Sequence, residues 1–235
     1  WIEPDLHDRS KTLGYTPVEP AAVLATHLQE VVRRYADELL TRDSVKHLID
    51  ELKSTSPAVV DELIPEVMKL GEVQQVLQAL LREEVSIRQL AQILETLGDF
   101  APRTKDPIWL NEYVRQRLAR SICARYRDEK NRIHVVTLDP ALEDRISAGI
   151  EHNEQGLLIH MSPAAIQKTC NVIATQIESL LKLRRSPIVL VNPQLRPGLK
   201  QLTSSHLPRL VVLSYNEITR DTQIESAEIV TDVTP

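Results

Sequence analysis

The sequence predicts an α+β, multidomain chain: an all-helical N-terminal body followed by a smaller α/β domain with a short, mainly parallel or mixed sheet. Two observations carry this. From Ala21 to about Ile122 the apolar residues recur at the 3.6-residue spacing of amphipathic helices. Beyond residues 127–131 they gather into short unbroken apolar runs that alternate with further helical segments. A third observation limits the material: 42% of the 235 residues are hydrophobic but only 3% are aromatic, so the core has to be built from Leu, Ile and Val. The expected division is 1–28, the tail of an upstream subdomain (strand and helix start), then 29–129, helical, then 130–235, α/β with a polar tail.

Residues 1–20, with Gly14-Tyr15-Thr16-Pro17-Val18 and prolines at 4 and 20, read as a short strand with turns. Val23, Leu24, Leu28, Val31 and Val32 then mark a helix that Tyr35 and Leu39 continue. Asp43-Ser44 is the expected N-cap of a helix through Val45, Leu48, Ile49 and Leu52. Ser56-Pro57 opens another, since proline suits the first helical position. Val73, Val76, Leu77, Leu80 and Leu81 form one stripe. Ser86 and Gln89 have capping-box spacing, which predicts a second helix over Ile87–Leu97, Gly98 at its end, and a very short joint. Asp106-Pro107 opens a single long helix, with Leu110, Val114, Leu118 and Ile122 inward. Ile133–Leu138 is β-rich, Pro140–Ile150 helical, and Leu157–His160 a short strand. Ser162-Pro163 starts a helix of about five turns at 3.6 residues per turn. Pro187–Val191 and Leu210–Leu213 lack alternation, as strands buried on both faces do; a helix near Pro197–Ser205 lies between them. Weak alternation around Ile224–Val230 precedes the polar end.

Little in the sequence points to chemistry. Six glycines, with no G-x-G-x-x-G or Walker pattern, argue against a phosphate-cradling loop. Seven histidines are scattered without HExxH or CxxC, so neither a metal site nor a cofactor is expected. His134 and His160, on predicted strands, could be neighbours, and with Asp139 they define the enzyme alternative, at the strand ends of the α/β half. Cys123 and Cys170 read as small buried hydrophobes of a reducing compartment. Glu83-Glu84 and Glu143-Asp144 read as solvated faces. The basic run Arg115, Arg117, Arg120, Arg125, Arg127, Lys130 and Arg132 could bind phosphates. The net charge of −5 and the scarcity of aromatics favour a protein contact or a solvated face over nucleic acid. No apolar run reaches the roughly 20 residues that span a bilayer. The start at Trp1 leads us to expect a piece of a longer protein, with any membrane helices upstream.

The residues also carry a resemblance. Gly14-Tyr15-Thr16 with Ala25-Thr26-His27-Leu28, Val76–Glu83, Val85–Leu90 with Ile93–Leu97, Ala101–Pro107, Val136–Asp139 and Val189–Asn192 resemble, in order and spacing, the FlhA family of type III secretion export gates. Ala101–Pro107 is closer to the flagellar branch than to the virulence branch. The resemblance implies the C-terminal part of a cytoplasmic domain of four subdomains: the tail of the first, the helical third and the α/β fourth. It implies a non-enzymatic docking and ring-forming module at the cytoplasmic face of the bacterial inner membrane, energised by the proton gradient across an absent membrane region. Its partners would be further copies in a nonameric ring, flagellar export chaperones carrying substrates, and other export-apparatus and ATPase-complex proteins. Thr26 matches a threonine of the family's chaperone-binding depression; its alternative role is a hydroxyl bonded one helical turn back. Arg103, Lys105 and Asp106 could mark a subunit contact, or an N-cap with neighbouring charges.

Overall fold

The computed structural model describes residues 2–153 and 156–230; the polar tail expected beyond residue 230 lies outside the described residues. After a 3-10 turn at Pro4–Leu6 come α1 (His7–Thr12), α2 (Pro20–Arg34), α3 (Ala36–Leu39), α4 (Arg42–Thr55), α5 (Pro57–Leu63), α6 (Leu70–Arg82), α7 (Leu90–Phe100), α8 (Pro107–Arg117) and α9 (Ala119–Tyr126). Then follow β1 (Arg132–Leu138), α10 (Pro140–Ala148), β2 (Ile150–Asn153), β3 (Gly156–Ile159), α11 (Pro163–Lys182), β4 (Ile188–Val191), α12 (Arg196–Thr203), β5 (Val211–Ser214) and β6 (Gln223–Val230).

Several local expectations are corrected. The first segment is helical, not a strand. Its prolines flank α1, the Ser10 and Thr12 hydroxyls bond back to the His7 and Asp8 carbonyls, and Gly14 at φ 84° turns the chain out. The cap of α4 is Thr41, whose hydroxyl accepts from the Ser44 N–H at 3.2 Å. The Ser86–Gln89 capping box does not form and the joint is longer than expected. Glu84 takes φ 58°, so the Val85 N–H reaches back to the Leu80 carbonyl and buries Val85 against the helix end. The helix then starts only at Leu90, and Gln89 accepts from the Ser121 hydroxyl instead. Gly98 sits inside α7, two residues before its end. The single long helix after Asp106 breaks at Leu118, a buried residue that closes α8 and starts α9. Two expected caps hold: Asp106 and Ser162 each accept from an N–H of the first turn; Asp139, singled out only for the enzyme alternative, caps α10 in the same way.

The sheet is parallel, in the order β5-β4-β1-β6, and β2 and β3 form a separate antiparallel hairpin. Its alternating side chains enter two apolar clusters. Ile133, Val135, Ile188, Leu190 and Leu213 join the core of α4–α9, whereas Val136, Leu138, Val189, Val191 and Val212 join that of α10–α12. Both faces are therefore covered, which is why these strands show no polar face in the sequence. The helical segment before residue 130 thus covers one face of the sheet.

Edge strand β5 is closed by side chains. The Leu210 carbonyl accepts from Lys200 at 2.8 Å, the Val212 carbonyl from Arg196 at 3.5 Å, and the Ser214 N–H donates to Glu217 at 2.6 Å. With these three outward backbone groups engaged, β5 offers less to an added strand than a bare edge would.

Candidate docking surface

The helix carrying Thr26 is amphipathic but covers nothing. Pro20 at its first turn sets the helical φ, and Val23, Leu24, Leu28, Val31 and Val32 follow the 3.6 period. None of its residues is buried: Leu24 is 68% and Leu28 61% exposed, and Tyr15, Val18, Tyr35 and Leu39, flanking it in the chain, are exposed too. Contiguous apolar surface of this kind marks a contact with something else. The Thr26 hydroxyl donates to the Ala22 carbonyl at 2.8 Å, the local bond anticipated as its alternative role. At 3.6 residues per turn Thr26 faces away from the centre of the stripe and shares its side of the helix with Ala22, Gln29 and Glu30.

The loop before α8 is engaged within the chain. The Asp106 carboxylate caps α8 through the Ile108 N–H at 2.8 Å and meets His152 of β2 at 2.5 Å; Trp109 lies edge-on to that imidazole, 5.1 Å away. Lys105 donates to the Val67 carbonyl, and the Arg103 guanidinium lies 6.0 Å over the Phe100 ring. Asp106 thus ties the helices to the β2–β3 hairpin.

A buried ion network joins the same two layers. Arg196, the first residue of α12, is 1% exposed. Its guanidinium donates to Glu83 at the end of α6 (2.7 and 3.2 Å) and, through Nε and Nη2, to both oxygens of Glu112 on α8. Arg115, one turn beyond Glu112, donates to Glu83 at 3.2 Å and contacts Glu217 at 2.5 Å. Burial by itself would raise Glu83, but the charges of Arg196 and Arg115 outweigh it and hold its pKa down to about 2. For Glu112 burial prevails over the attraction of Arg196, and its pKa is raised. Burial would lower Arg196, but the two carboxylates overcome it and keep the guanidinium charged.

This network overturns two expectations. Glu83 is not on a solvated face: at the end of α6 its carboxylate meets Arg196 and Arg115, while Arg125 holds the outward Glu84 through its carbonyl and carboxylate. Arg115 is not part of an exposed basic patch; at 2% exposure it belongs to the interior. Others of that run are also paired: Arg127 with Asp221, and Arg132 with Asp128 and Glu225. Arg196, Glu112 and Glu217 were not singled out from sequence. The legible trace was on α8, where Asn111 and Arg115 adjoin the inward Leu110–Val114–Leu118 row.

The two histidines are hydrogen-bonded to separate carboxylates. His134 meets Asp128 at 3.1 Å and His160 meets Glu151 at 3.0 Å. Hydrogen bonds from the Arg132 backbone, His134 and the Lys130 backbone prevail over burial and hold Asp128 well below the usual carboxylate range. Asp139 is occupied as a helix cap. Among the described residues no group of three His, Cys, Asp or Glu could hold a metal ion, and no helix is long and apolar enough to cross a membrane. Cys123 and Cys170 are buried, as expected.

The arrangement is thus an α+β scaffold with an uncovered helix at one end and a charged seam between its layers. The chain belongs to the FHIPEP family, whose pattern it matches over residues 1–223. Among curated relatives it is 37% identical over 230 residues to the flagellar biosynthesis protein FlhA of Bacillus subtilis (98% of this chain, 34% of the relative). It is 38% identical over 234 residues to FlhA of Treponema pallidum (98% and 33%). The chain therefore spans about a third of these relatives' length. Among solved structures it resembles the Chlamydia pneumoniae CdsV protein (TM-score 0.84, 24% identity, covering 98% of this chain and 66% of that one). It also resembles the C-terminal domain of InvA (TM-score 0.78, 26% identity, 98% and 70%). A third likeness is to nonameric EPEC SctV-C (TM-score 0.78, 24% identity, 86% and 61%).

Proposed function

We propose that this chain is a docking and ring-forming module of a flagellar type III protein export gate, working at the cytoplasmic face of the inner membrane and carrying out no bond-making chemistry. The observation that carries the reading is the apolar stripe of α2, a 15-residue amphipathic helix with no buried residue. An amphipathic helix gains stability by covering its stripe, so α2 belongs to a larger assembly. The relatives give that assembly a form: SctV-C has been solved as a nonamer, and CdsV together with CdsO. On this reading the chain divides at 1–28, 29–129 and 130–235. Thr26 contributes to a chaperone–substrate dock and Arg103, Lys105 and Asp106 to a contact between copies. Export-apparatus and ATPase-complex proteins are further partners.

The test uses the complete cytoplasmic region of the parent protein, with multi-angle light scattering and pull-down of purified flagellar chaperones bound to substrate. Ring-sized particles and chaperone capture weakened by Thr26→Asp support the reading. Absence of both at every concentration and salt condition refutes it.

A further inference from the structure

A cleft of about 760 Å³ opens between the C-terminal end of α2, the α6–α7 joint, α9 and the approach to β5. That volume lies within the range of sites that enclose a small ligand or a short chain segment. In a chain of net charge −5, this cleft is lined by seven cationic side chains against three carboxylates. Part of that surplus is neutralised from behind the wall, Arg115 by Glu217 and Arg82 by Asp37. Arg34, at the end of α2, and Arg209, before β5, are exposed and have no ion pair among the described residues, whereas Arg33, Arg82 and Arg125 have carboxylate partners. A second observation is independent of charge counting. Arg115 lines the same cleft, and its buried Nε–H has no hydrogen-bond acceptor among the described residues, a costly state for a buried donor. Between the cations lie Val85, Ile122, Pro187 and Val211, so the lining is amphipathic.

We propose that this cleft binds an acidic segment of a partner protein that also presents apolar side chains. Guanidinium forks match carboxylates in pairs, and the apolar positions between them would be wasted on a free inorganic anion. The partly capped edge of β5 favours recognition through side chains over an added strand. Thr26 takes no part, so failure here leaves the export-gate assignment untouched.

The test is fluorescence anisotropy of a labelled peptide of alternating glutamate and leucine titrated with this chain, over a range of salt concentrations. Saturable binding that weakens steeply with salt is expected. Arg34→Glu with Arg209→Glu should weaken it by about tenfold or more. Lys46→Glu with Lys182→Glu, an equal charge change away from the cleft, should leave it within about twofold. Urea unfolding of each variant establishes that both pairs leave the fold intact. No binding at low salt overturns the proposal, as does equal loss in the control pair. Displacement by tripolyphosphate at lower concentration than by unlabelled peptide overturns the protein-segment assignment. Concentration-dependent dimers blocked by the peptide would reassign the cleft to a second copy.

Discussion

Replacing Arg196 by Met keeps much of its apolar stem and removes the charge that two buried carboxylates share. Glu83 and Glu112 would then face each other with Arg115 as their nearest remaining cation. Removing one partner of a buried pair typically costs about 3–5 kcal/mol, because the other charge is stranded. The structure provides a second route to the magnitude. Glu83 is held at about 2, against an ordinary value of 4.5, and each pKa unit is worth about 1.4 kcal/mol, so its charged state contributes about 3 kcal/mol at neutral pH. The two routes agree in order of magnitude. The sign follows: a carboxylate whose folded pKa is depressed contributes stability above its unfolded pKa, and the contribution fades as pH falls from about 4.5 toward 2. Glu112, whose folded pKa is raised, acts in the opposite direction and takes up a proton first when Arg196 is gone. Urea unfolding followed by circular dichroism should therefore give Arg196→Met a deficit of about 3–5 kcal/mol at pH 7 that narrows on acidification. Arg196→Lys, which keeps the charge but not the fork, should lose less. Glu83→Gln with Glu112→Gln should restore much of the stability of Arg196→Met. A deficit below about 1 kcal/mol at pH 7, or one that grows as pH falls, would refute the assignment of Arg196 as the electrostatic centre of the seam.

Two glycines should respond with opposite signs. Gly98, inside α7 with no atom within 4 Å of a built Cβ, should gain about 0.5–1 kcal/mol on substitution by Ala. A Cβ on Gly198 would lie 2.7 Å from the Ile150 side chain of β2, so Gly198→Ala should lose about 1–3 kcal/mol, partly regained with Ile150→Val, in the same urea assay. Thr41→Ala removes the cap of α4 and should lower stability by about 1 kcal/mol, read as a lower midpoint with unchanged slope. Leu24→Ser with Leu28→Ser should leave this chain's stability within about 0.5 kcal/mol while reducing association of the complete cytoplasmic region; a large loss in this chain alone would mean that the stripe is already covered.

What the sequence determined by itself is what short-range physics controls. The periodicity of residues 73–81 and 90–97, the cap-plus-proline starts at Asp106 and Ser162 and the helical segment from Pro140 reappear as α6, α7, α8, α11 and α10. The unbroken runs at 188–191 and 210–213 reappear as β4 and β5. Each is a relation among residues within a turn or two, and burial of the resulting stripe follows from it. Tertiary structure decided what depends on distance along the chain. Thr41 displaced Asp43-Ser44 as a cap, and Val85 settled the end of α6 where the Ser86 spacing pointed elsewhere. Glu83 reaches Arg196 across 113 residues and Glu112 reaches it across 84. A charged residue in a helical pattern reads as solvated until a counter-charge arrives from another element, because burying it unpaired is prohibitively unfavourable. That pairing is a property of how the helical layer lies against the sheet, and no local spacing encodes it.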